Sequence, residues 1–389
     1  MKKGWQTKKL GDVCAFDKAQ GIHRGLPYVG LEHIESQTAR FIGSSEPQPV
    51  KSSTFRFSDA HVLYGRLRPY LNKALAPDFE GHCSTEIFPL KPRPELSREY
   101  LLFWLLADET CERINATCTG ARMPRAQMND VLGFEIPVPP LAEQQRIVGV
   151  LDEAFAGLAT AKANAEKNLQ NARALFKSHL QSVFTQRGPG WVEKKLEDIA
   201  DADCSLSYGI VQPGEEFDDG MPIVRPTDLT NKVIRLGGLK RIDPKLAGGY
   251  KRTALQGGEL LLCVRGSTGI VSVASPELVG ANVTRGIVPI RFNRSLLMPE
   301  FGFYLISAGP VQSQIREKTY GTALMQINIR DLRVISLSIP PLKEQETIAA
   351  KLDNLYEQTQ RLARLYERKL AALAALKQSL LHQAFTGAL

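Results

Sequence analysis

Arginine, lysine and tyrosine are concentrated in one short stretch in the first half of this chain. Gly65–Lys73 contains Arg66, Arg68, Tyr70 and Lys73, with an asparagine between the last two. Arginine side chains form paired hydrogen bonds with guanine edges and with phosphates. The stretch therefore predicts a turn that contacts nucleic acid.

A related stretch in the second half, Arg265–Gly269, replaces several of these side chains with small ones. Small residues let the backbone approach a ligand closely, and serine and backbone N–H groups suit phosphates. The complete set of candidate DNA contacts is Arg66, Arg68, Tyr70, Lys73, Arg122, Arg125, Arg265, Ser267, Arg285, Lys318 and Tyr320. For any single residue, an arginine in a solvated turn at a strand end remains the alternative.

Catalytic motifs are absent from the sequence. There is no GxxxxGK[ST] phosphate-binding loop, no GxGxxG loop for a dinucleotide or S-adenosylmethionine, and no GxSxG nucleophile elbow. Two Pro-Pro-Leu sequences lack the leading amide or acid and the trailing aromatic of the amino-methyltransferase motif. We therefore predict no catalytic residue and no cofactor in this chain.

Cysteine and histidine spacing predicts no metal site. The six cysteines form no CxxC pair, and the six histidines form no HxxxH or HExxH pair. We expect reduced thiols in a cytoplasmic protein. No apolar run is long enough for a membrane span, and Met1–Gln6 lacks the apolar stretch of a signal peptide.

Two long repeated segments must position these turns. Pro139–Thr185 is repeated without a gap at Pro340–Thr386, and such a repeat outranks other sequence signals. Apolar residues recur at spacings of three and four in both, which predicts two long helices that pair as a coiled coil. Lys162 and His179 interrupt the apolar seam, either as polar pairs that set its register or as side chains that reach solvent. The predicted seam comprises Val148, Leu151, Phe155, Leu158, Leu169, Phe176, Val183, Ile348, Leu352, Leu355, Leu362, Leu373, Leu376 and Leu380.

The segments before the two helices echo each other more faintly. We expect strands at His61–Tyr64 and Glu259–Val264, and buried helices at Tyr100–Leu106 and Phe301–Ile306. The sequence therefore predicts a mixed α+β fold with an internal pseudo-twofold repeat. Its predicted parts are a globular domain (1–138), a helix (139–186), a second globular domain (187–339) and a second helix (340–389).

These features together resemble the specificity subunit of type I restriction-modification systems, over the whole chain. The helix openings carry the Pro-Leu-x-Glu-Gln sequence of that family, and the globular domains open on a Trp-x-x-x-x-Leu-x-Asp pattern. The residues concerned are Pro140–Gln144, Pro341–Gln345, Trp5 to Asp12, Trp191 to Asp198 and Arg68–Lys73. Duplication of the short helix signal makes the resemblance specific.

The resemblance implies two target recognition domains, each reading one half of a split double-stranded DNA sequence. It also implies that the helices pack antiparallel, set the gap between the half-sites and dock two methyltransferase (M) subunits. Restriction (R) subunits would join this complex in the prokaryotic cytoplasm. S-adenosylmethionine, ATP and Mg²⁺ would be bound by the partner subunits, and this chain would have no catalytic residue. Because the globular domains differ in their middles, we expect unlike half-sites.

Two other classes of protein remain as alternatives. The first is a DNA methyltransferase or nuclease that acts alone, and the second is a coiled-coil scaffold whose domains bind proteins. The net charge of +8 permits DNA binding without requiring it. The basic turns and this charge favour a DNA-binding protein over a scaffold.

Overall fold

A computed structural model describes residues 4–48, 50–120, 122–322 and 324–389. Residues 1–3, part of the start that lacks a signal-peptide pattern, lie outside it. The chain forms two compact units: unit 1 comprises Met1–Lys167 and Tyr366–Leu389, and unit 2 comprises Asn168–Leu365. In the described ranges, no helix is long and apolar enough to cross a membrane.

Unit 1 combines short strands with four short helices and parts of the two long helices. Its strands are β1 (Gln6–Lys9), β2 (Cys14–Phe16), β3 (Gln20–Gly21), β4 (Tyr28–Val29), β5 (Thr54–Phe57), β6 (Val62–Gly65), β7 (Ala74–Leu75), β8 (Gly81–Cys83), β9 (Ile87–Pro92) and β10 (Glu135–Val138). Its helices are α1 (Leu10–Val13), α2 (Arg98–Leu106), α3 (Asp108–Ala116), α4 (Met128–Leu132) and the first part of α5 (Leu141–Thr185), with 3-10 turns at Leu31–His33 and Pro69–Leu71. The strands form sheets β2-β9-β6-β7 and β3-β5-β8-β4, and an antiparallel pair β1-β10.

Unit 2 repeats this plan. Its strands are β11 (Val192–Lys195), β12 (Met221–Val224), β13 (Val233–Ile234), β14 (Lys240–Ile242), β15 (Leu260–Cys263), β16 (Val271–Ala274), β17 (Asn282–Val283), β18 (Ile287–Ile290), β19 (Thr319–Tyr320), β20 (Gln326–Ile327) and β21 (Ser336–Ile339). Its helices are α6 (Leu196–Ile199), α7 (Pro299–Ser307), α8 (Gly309–Glu317), α9 (Ile329–Arg333) and the first part of α10 (Leu342–Thr386), with 3-10 turns at Pro226–Asp228, Pro244–Ala247, Lys251–Thr253 and Pro276–Leu278. The sheets are β13-β16-β15-β18 and β14-β12-β17, with pairs β11-β21 and β19-β20.

The core of each unit surrounds one short apolar helix. In α2 every residue from Tyr100 to Leu106 is buried, and in α7 every residue from Phe301 to Ile306 is buried. The predicted buried helices are thus confirmed. The predicted strands are also confirmed, as β6 and β15. Both strands are fully buried, which explains their continuous apolar sequence.

The long helices pack antiparallel inside each unit. In unit 1, Leu151 near the start of α5 shares a core with Leu381 and Ala384 near the end of α10. In unit 2, Phe184 near the end of α5 shares a core with Leu352 near the start of α10. Each pairing joins the beginning of one helix to the end of the other. The predicted fold class, mixed α and β with a repeated domain and an antiparallel helix pair, is confirmed.

The buried stripe on the long helices follows most of the predicted seam. Leu151 and Leu352 are fully buried. The half-buried members are Val148, Phe155, Leu158, Leu169, Phe176, Val183, Ile348, Leu355, Leu373 and Leu380. Lys162 and His179 lie on the exposed face, and Lys162 pairs with Glu166 at 3.9 Å. The position of these two polar residues favours side chains that reach solvent.

Two predicted seam positions are wrong. Leu362 is 40% exposed and Leu376 is 48% exposed, whereas the neighbouring Ala363 is 5% exposed. A straight helix drifts relative to a strict seven-residue repeat, so a seam extrapolated along it moves off the buried face. Small residues also occupy the buried stripe on α5, at Ala165 and Ala172. On α10 the buried stripe likewise passes through a small residue, Ala363, which the predicted seam left out.

Candidate nucleic-acid interface

Two loops of unit 1 are joined by backbone hydrogen bonds. The Arg68 N–H donates to the Pro124 carbonyl at 2.8 Å, and the Ala126 N–H donates to the Arg66 carbonyl at 2.9 Å. We call residues 65–73 and 122–126 the first loop pair. It brings Arg66, Arg68, Tyr70 and Lys73 together with Arg122 and Arg125, which lie far from them in sequence.

Unit 2 contains the same arrangement. The Gly266 N–H donates to the Met325 carbonyl at 2.8 Å, and the Ile327 N–H donates to the Val264 carbonyl at 3.0 Å. We call residues 264–269 and 324–327 the second loop pair. It contains Arg265 and Ser267. Gln326 of its second loop forms an antiparallel strand pair with Tyr320. Two globular domains of different sequence thus present the same two-loop platform.

Left-handed backbone conformations shape both loop pairs. In unit 1, Arg68 and Asn72 have φ values of 51° and 44° and bracket the 3-10 turn. Asparagine tolerates this conformation, and the Asn72 amide also donates to the Leu106 carbonyl at the end of α2, at 3.0 Å. In unit 2 the corresponding turns use Gly266 and Gly269, with φ values of 83° and 92°. The turn chemistry therefore differs although the platform is shared.

Three predicted contacts of unit 1 are exposed and available to a ligand. Arg68 and Arg122 are exposed, and Tyr70 is 51% exposed. Apolar side chains accompany them: Leu71 is 37% exposed and Met123 is 45% exposed. The surface therefore combines cations with an aromatic ring and apolar area, which suits a sugar-phosphate backbone and base edges.

The other three predicted contacts of unit 1 attach the loops to neighbouring parts of the domain. The Lys73 ammonium donates to the Leu31 carbonyl at 2.6 Å, and the Arg66 guanidinium lies over the Phe88 ring at 5.2 Å. Arg125 donates to both carboxylate oxygens of Glu86, and this hydrogen bonding raises the pKa of Arg125. Sequence pattern alone does not distinguish these cations from the exposed ones.

In unit 2 the predicted contacts divide in a similar way. Ser267 and Arg285 are exposed, and Tyr320 is 44% exposed. The Tyr320 hydroxyl donates to Asn328 at 2.6 Å and accepts from Gln326 at 3.2 Å, so its ring is held in place. Arg265 and Lys318 are half-buried.

Arg285 lies next to the second loop pair. It immediately precedes Gly286, whose carbonyl accepts from the Val264 N–H at 2.8 Å. Leu324 and Met325 are exposed beside this loop, by 45% and 42%. The structure thus places an exposed cation and exposed apolar area at both loop pairs, and sequence reasoning missed the apolar component.

The glutamine of each Pro-Leu-x-Glu-Gln sequence has a role that the sequence did not reveal. The Gln144 amide donates to the Pro139 and Glu95 carbonyls at 2.8 Å each, and accepts from the Ser97 N–H at 2.7 Å. Gln345 makes the same three bonds at 2.9 Å each, to Pro340, Leu296 and Met298. Both glutamines are fully buried. Each joins the start of a long helix to the residue that caps α2 or α7.

Within the residues that the structure describes, no group of three or more histidine, cysteine or acidic side chains could hold a metal ion. All six cysteines are free thiols. Burial raises the pKa of the Cys14 thiol to about 12. These thiols pack in the core or beside it.

Comparison with known proteins identifies the repeated domain. Residues 2–169 and 189–368 match the family described as the type I restriction modification DNA specificity domain. The chain is 24% identical over 298 residues to the EcoBI specificity subunit of a type I restriction enzyme from Escherichia coli, covering 71% of this chain and 63% of that one. It is 28% identical over 180 residues to the EcoDI specificity subunit from Escherichia coli, covering 46% and 39%. The chain thus aligns with less than two thirds of the length of both relatives.

Solved structures share the fold. A chain from a structure of complex assembly and conformational transition in the type I R-M system has a TM-score of 0.80 at 23% identity, covering 98% of each chain. The HsdS subunit from Thermoanaerobacter tengcongensis has a TM-score of 0.63 at 23% identity, covering 100% of this chain and 98% of that one. The likeness extends over both units and both long helices.

Proposed function

Because this chain belongs to the type I restriction modification DNA specificity family, we propose that it is the sequence-specificity subunit of a type I restriction-modification enzyme. Each globular domain is a target recognition domain that binds one half of a bipartite double-stranded DNA target. The observation that carries this proposal is the loop pair, which is built twice by equivalent backbone hydrogen bonds. Arg68 and Arg122 are exposed cations of the first loop pair, and Arg285 is an exposed cation beside the second.

The two long helices set the distance between the half-sites in this proposal. α5 and α10 are 45 residues each. At 1.5 Å per residue each is about 68 Å long. Each begins in one unit and ends in the other, so a change in helix length changes the separation that the chain can span.

The partners follow from the same proposal. Two methyltransferase (M) subunits dock on the outer faces of the long helices, and restriction (R) subunits join through them in the cytoplasm of a prokaryotic cell. These partners bind S-adenosylmethionine, ATP and Mg²⁺ and perform the chemistry. This chain supplies DNA recognition without catalysis, which its lack of catalytic sequence motifs supports.

Deletion of seven residues from both long helices tests the spacing proposal. The deletion shortens each helix by about 10 Å, which corresponds to about three base pairs of duplex. Methylome sequencing of the host should show the same two half-sites with a shorter gap. A variant with seven exposed helix residues replaced by alanine, and none deleted, serves as the control. An unchanged gap in the deletion variant would contradict the proposal.

The competing functions make different predictions for the purified chain. A methyltransferase or nuclease acting alone would turn over labelled S-adenosylmethionine, or DNA with Mg²⁺, whereas we expect no turnover without partner subunits. A protein-binding scaffold would show no sequence-selective shift of DNA. We expect a selective shift that weakens steeply as salt rises, because phosphate contacts release counterions.

A further inference from the structure

Lys232 of the second globular domain reaches the long helix α10. Its ammonium group donates to the Asp353 carboxylate and, at 2.9 Å, to the Tyr304 hydroxyl. The Tyr304 hydroxyl donates to the same carboxylate. Lys232 also lies 4.6 Å from the Tyr304 ring centroid and 5.8 Å from that of Tyr356. We call Lys232, Tyr304, Asp353 and Tyr356 the helix clamp.

The helix clamp is partly buried. The Lys232 side chain is 22% exposed and the Asp353 side chain is 40% exposed, while Tyr304 is fully buried. Burial, together with the hydrogen bond to Asp353, raises the pKa of Tyr304, so its hydroxyl stays protonated and remains a donor. The Lys232 ammonium, the Tyr304 hydroxyl and the Asp353 carboxylate each bond to the other two, and this mutual bonding defines one geometry.

One sheet connects the clamp to the second loop pair. The Val273 N–H donates to the Lys232 carbonyl at 2.7 Å, which fixes Lys232 at the start of β13. β13 pairs with β16, and β16 pairs with β15. β15 ends at Cys263, directly before the loop pair. Paired strands thus form a continuous hydrogen-bonded path from Lys232 to the segment that contains Arg265.

This sheet has a second, separate core. Val224, Ile234 and Leu261 form an apolar cluster with other residues of the globular domain, and no residue of α10 belongs to it among those described. The opposite face of the sheet packs with α7 and α10 in the larger core of the unit. The clamp therefore adds a polar attachment at the β13 edge, where that apolar cluster does not reach α10.

We propose that Lys232 and Asp353 are positioning residues that hold the second recognition sheet at one angle on α10, and that this angle limits the gap length the protein accepts between half-sites. The inference rests on the proposed function. A partly exposed ion pair contributes little to global stability, so its loss should affect geometry more than folding.

Three variants test the clamp in the full chain, in its host. Asp353→Asn and Lys232→Met each remove the ion pair, and methionine keeps an aliphatic stem against the aromatic rings. The third combines Lys232→Asp with Asp353→Lys. The control is Asp152→Asn, which changes the corresponding aspartate of α5 in unit 1. The measurement is methylome sequencing, scored as methylation at the normal gap relative to gaps one base pair longer or shorter.

We expect the two single variants to lower this discrimination about fivefold, with unchanged half-site sequences. The charge-exchanged variant should recover part of it, and Asp152→Asn should leave it unchanged. Unchanged discrimination in both single variants would overturn the inference. So would a lower melting temperature with normal discrimination among the sites still methylated, because that outcome indicates a structural role only.

The failure of the proposed function is a different outcome. In that case the unaltered chain directs methylation to no bipartite sequence. Amide hydrogen exchange at Val233 and Ile234 then still tests the clamp, because Asp353→Asn should speed exchange there and Asp152→Asn should not. Equal protection in both variants would show that the ion pair positions nothing.

Discussion

The two units attach a globular domain to a long helix at corresponding places, but the cation comes from opposite partners. In unit 2, Lys232 of the globular domain donates to α10. In unit 1, Lys377 of α10 donates to the carbonyl of Gln37 in the globular domain. Gln37 and Lys232 each follow the end of a 3-10 turn by four residues. Gln37 has a φ of 62°, a left-handed conformation absent at Lys232.

The corresponding aromatic side chains around these cations are apolar in unit 1 and carry hydroxyl groups in unit 2. Unit 1 places Phe103 edge-on to Phe155 at 5.5 Å between ring centroids, with Lys377 over Phe155 at 5.2 Å. In unit 2 the two corresponding rings are Tyr304 and Tyr356, and the hydroxyl of Tyr304 joins the clamp. A polar group in one unit thus stands where the other has only apolar atoms.

The aspartate repeated on the two helices shows what this difference does. Asp353 is paired with a lysine and a tyrosine. The pKa of Asp152 is raised by desolvation and then by the nearby charge of Glu99. The same residue type at the same helix position therefore has a cationic partner in unit 2, whereas in unit 1 burial and a neighbouring carboxylate disfavour its charged form. A repeated helix residue takes its role from the diverged domain that packs on it.

The largest effect should come from the feature that the units share. Gln144→Leu and Gln345→Leu each remove three buried hydrogen bonds and leave two carbonyls and one N–H group without their partners. We expect each to lower the free energy of unfolding by about 3 kcal/mol, measured by urea denaturation. Gln145→Leu and Glu346→Leu, at exposed neighbouring positions, are the controls. Losses that differ by more than about 1.5 kcal/mol would break the equivalence of the units.

A smaller effect should separate the units at the aromatic pair. Tyr304→Phe removes the hydroxyl that bridges Lys232 and Asp353, and should cost about 1.5 kcal/mol because two charged groups lose a hydrogen-bond partner. The reciprocal Phe103→Tyr should cost less than about 0.5 kcal/mol, since Asp152 has the helix position in unit 1 that Asp353, the acceptor of the Tyr304 hydroxyl, has in unit 2. Thermal unfolding of both variants measures this. Equal losses would remove the distinction between a polar and an apolar attachment.

The sequence predicted the repeated plan better than the chemistry inside it. Helix and strand positions followed from apolar periodicity, because burial decides which residue types each face carries. The clamp did not follow, since Lys232 and Asp353 are far apart in sequence and neither stands in a motif. The sequence also did not show that Arg68 is exposed while Arg125 is paired, because only the fold places Glu86 against Arg125. Contacts between distant segments are set by tertiary packing, which local pattern does not encode.

Glu86 provides a third, weaker contrast between the units. Its counterpart beside the second loop pair is Gly286, so unit 2 has no carboxylate at that position. Glu86→Gln should free Arg125 to contact phosphate and steepen the dependence of DNA affinity on salt by about 0.9 in log-log slope. At low salt, non-specific affinity should rise about threefold. Electrophoretic shifts across a salt series measure both, with Glu80→Gln, at a pair of exposed residues, as the control.

If the salt-dependence slope is the same in Glu86→Gln as in the unaltered chain, Arg125 serves only to hold the loops, with or without Glu86. That outcome would leave Arg68 and Arg122 as the cations of the first loop pair, and it would bring the two loop pairs closer in design. A steeper slope would show that Glu86 restrains Arg125 in unit 1. Unit 2, with Gly286 at the corresponding position, lacks this restraint.

The smallest effect concerns Asp152, and its sign separates it from Asp353. Because the folded-state pKa of Asp152 lies above its unfolded value, ionisation disfavours the folded state. This penalty is absent where the carboxyl is protonated in both states, and it is fully present above the folded pKa. Asp152→Asn should therefore stabilise the chain at pH 7 by less than about 0.5 kcal/mol, given its exposure, and the gain should shrink as the pH falls towards 4. Asp353→Asn should destabilise it at pH 7. A loss of stability in Asp152→Asn at pH 7, measured by urea denaturation, would show that both aspartates are paired and that the units differ less than their contacts indicate.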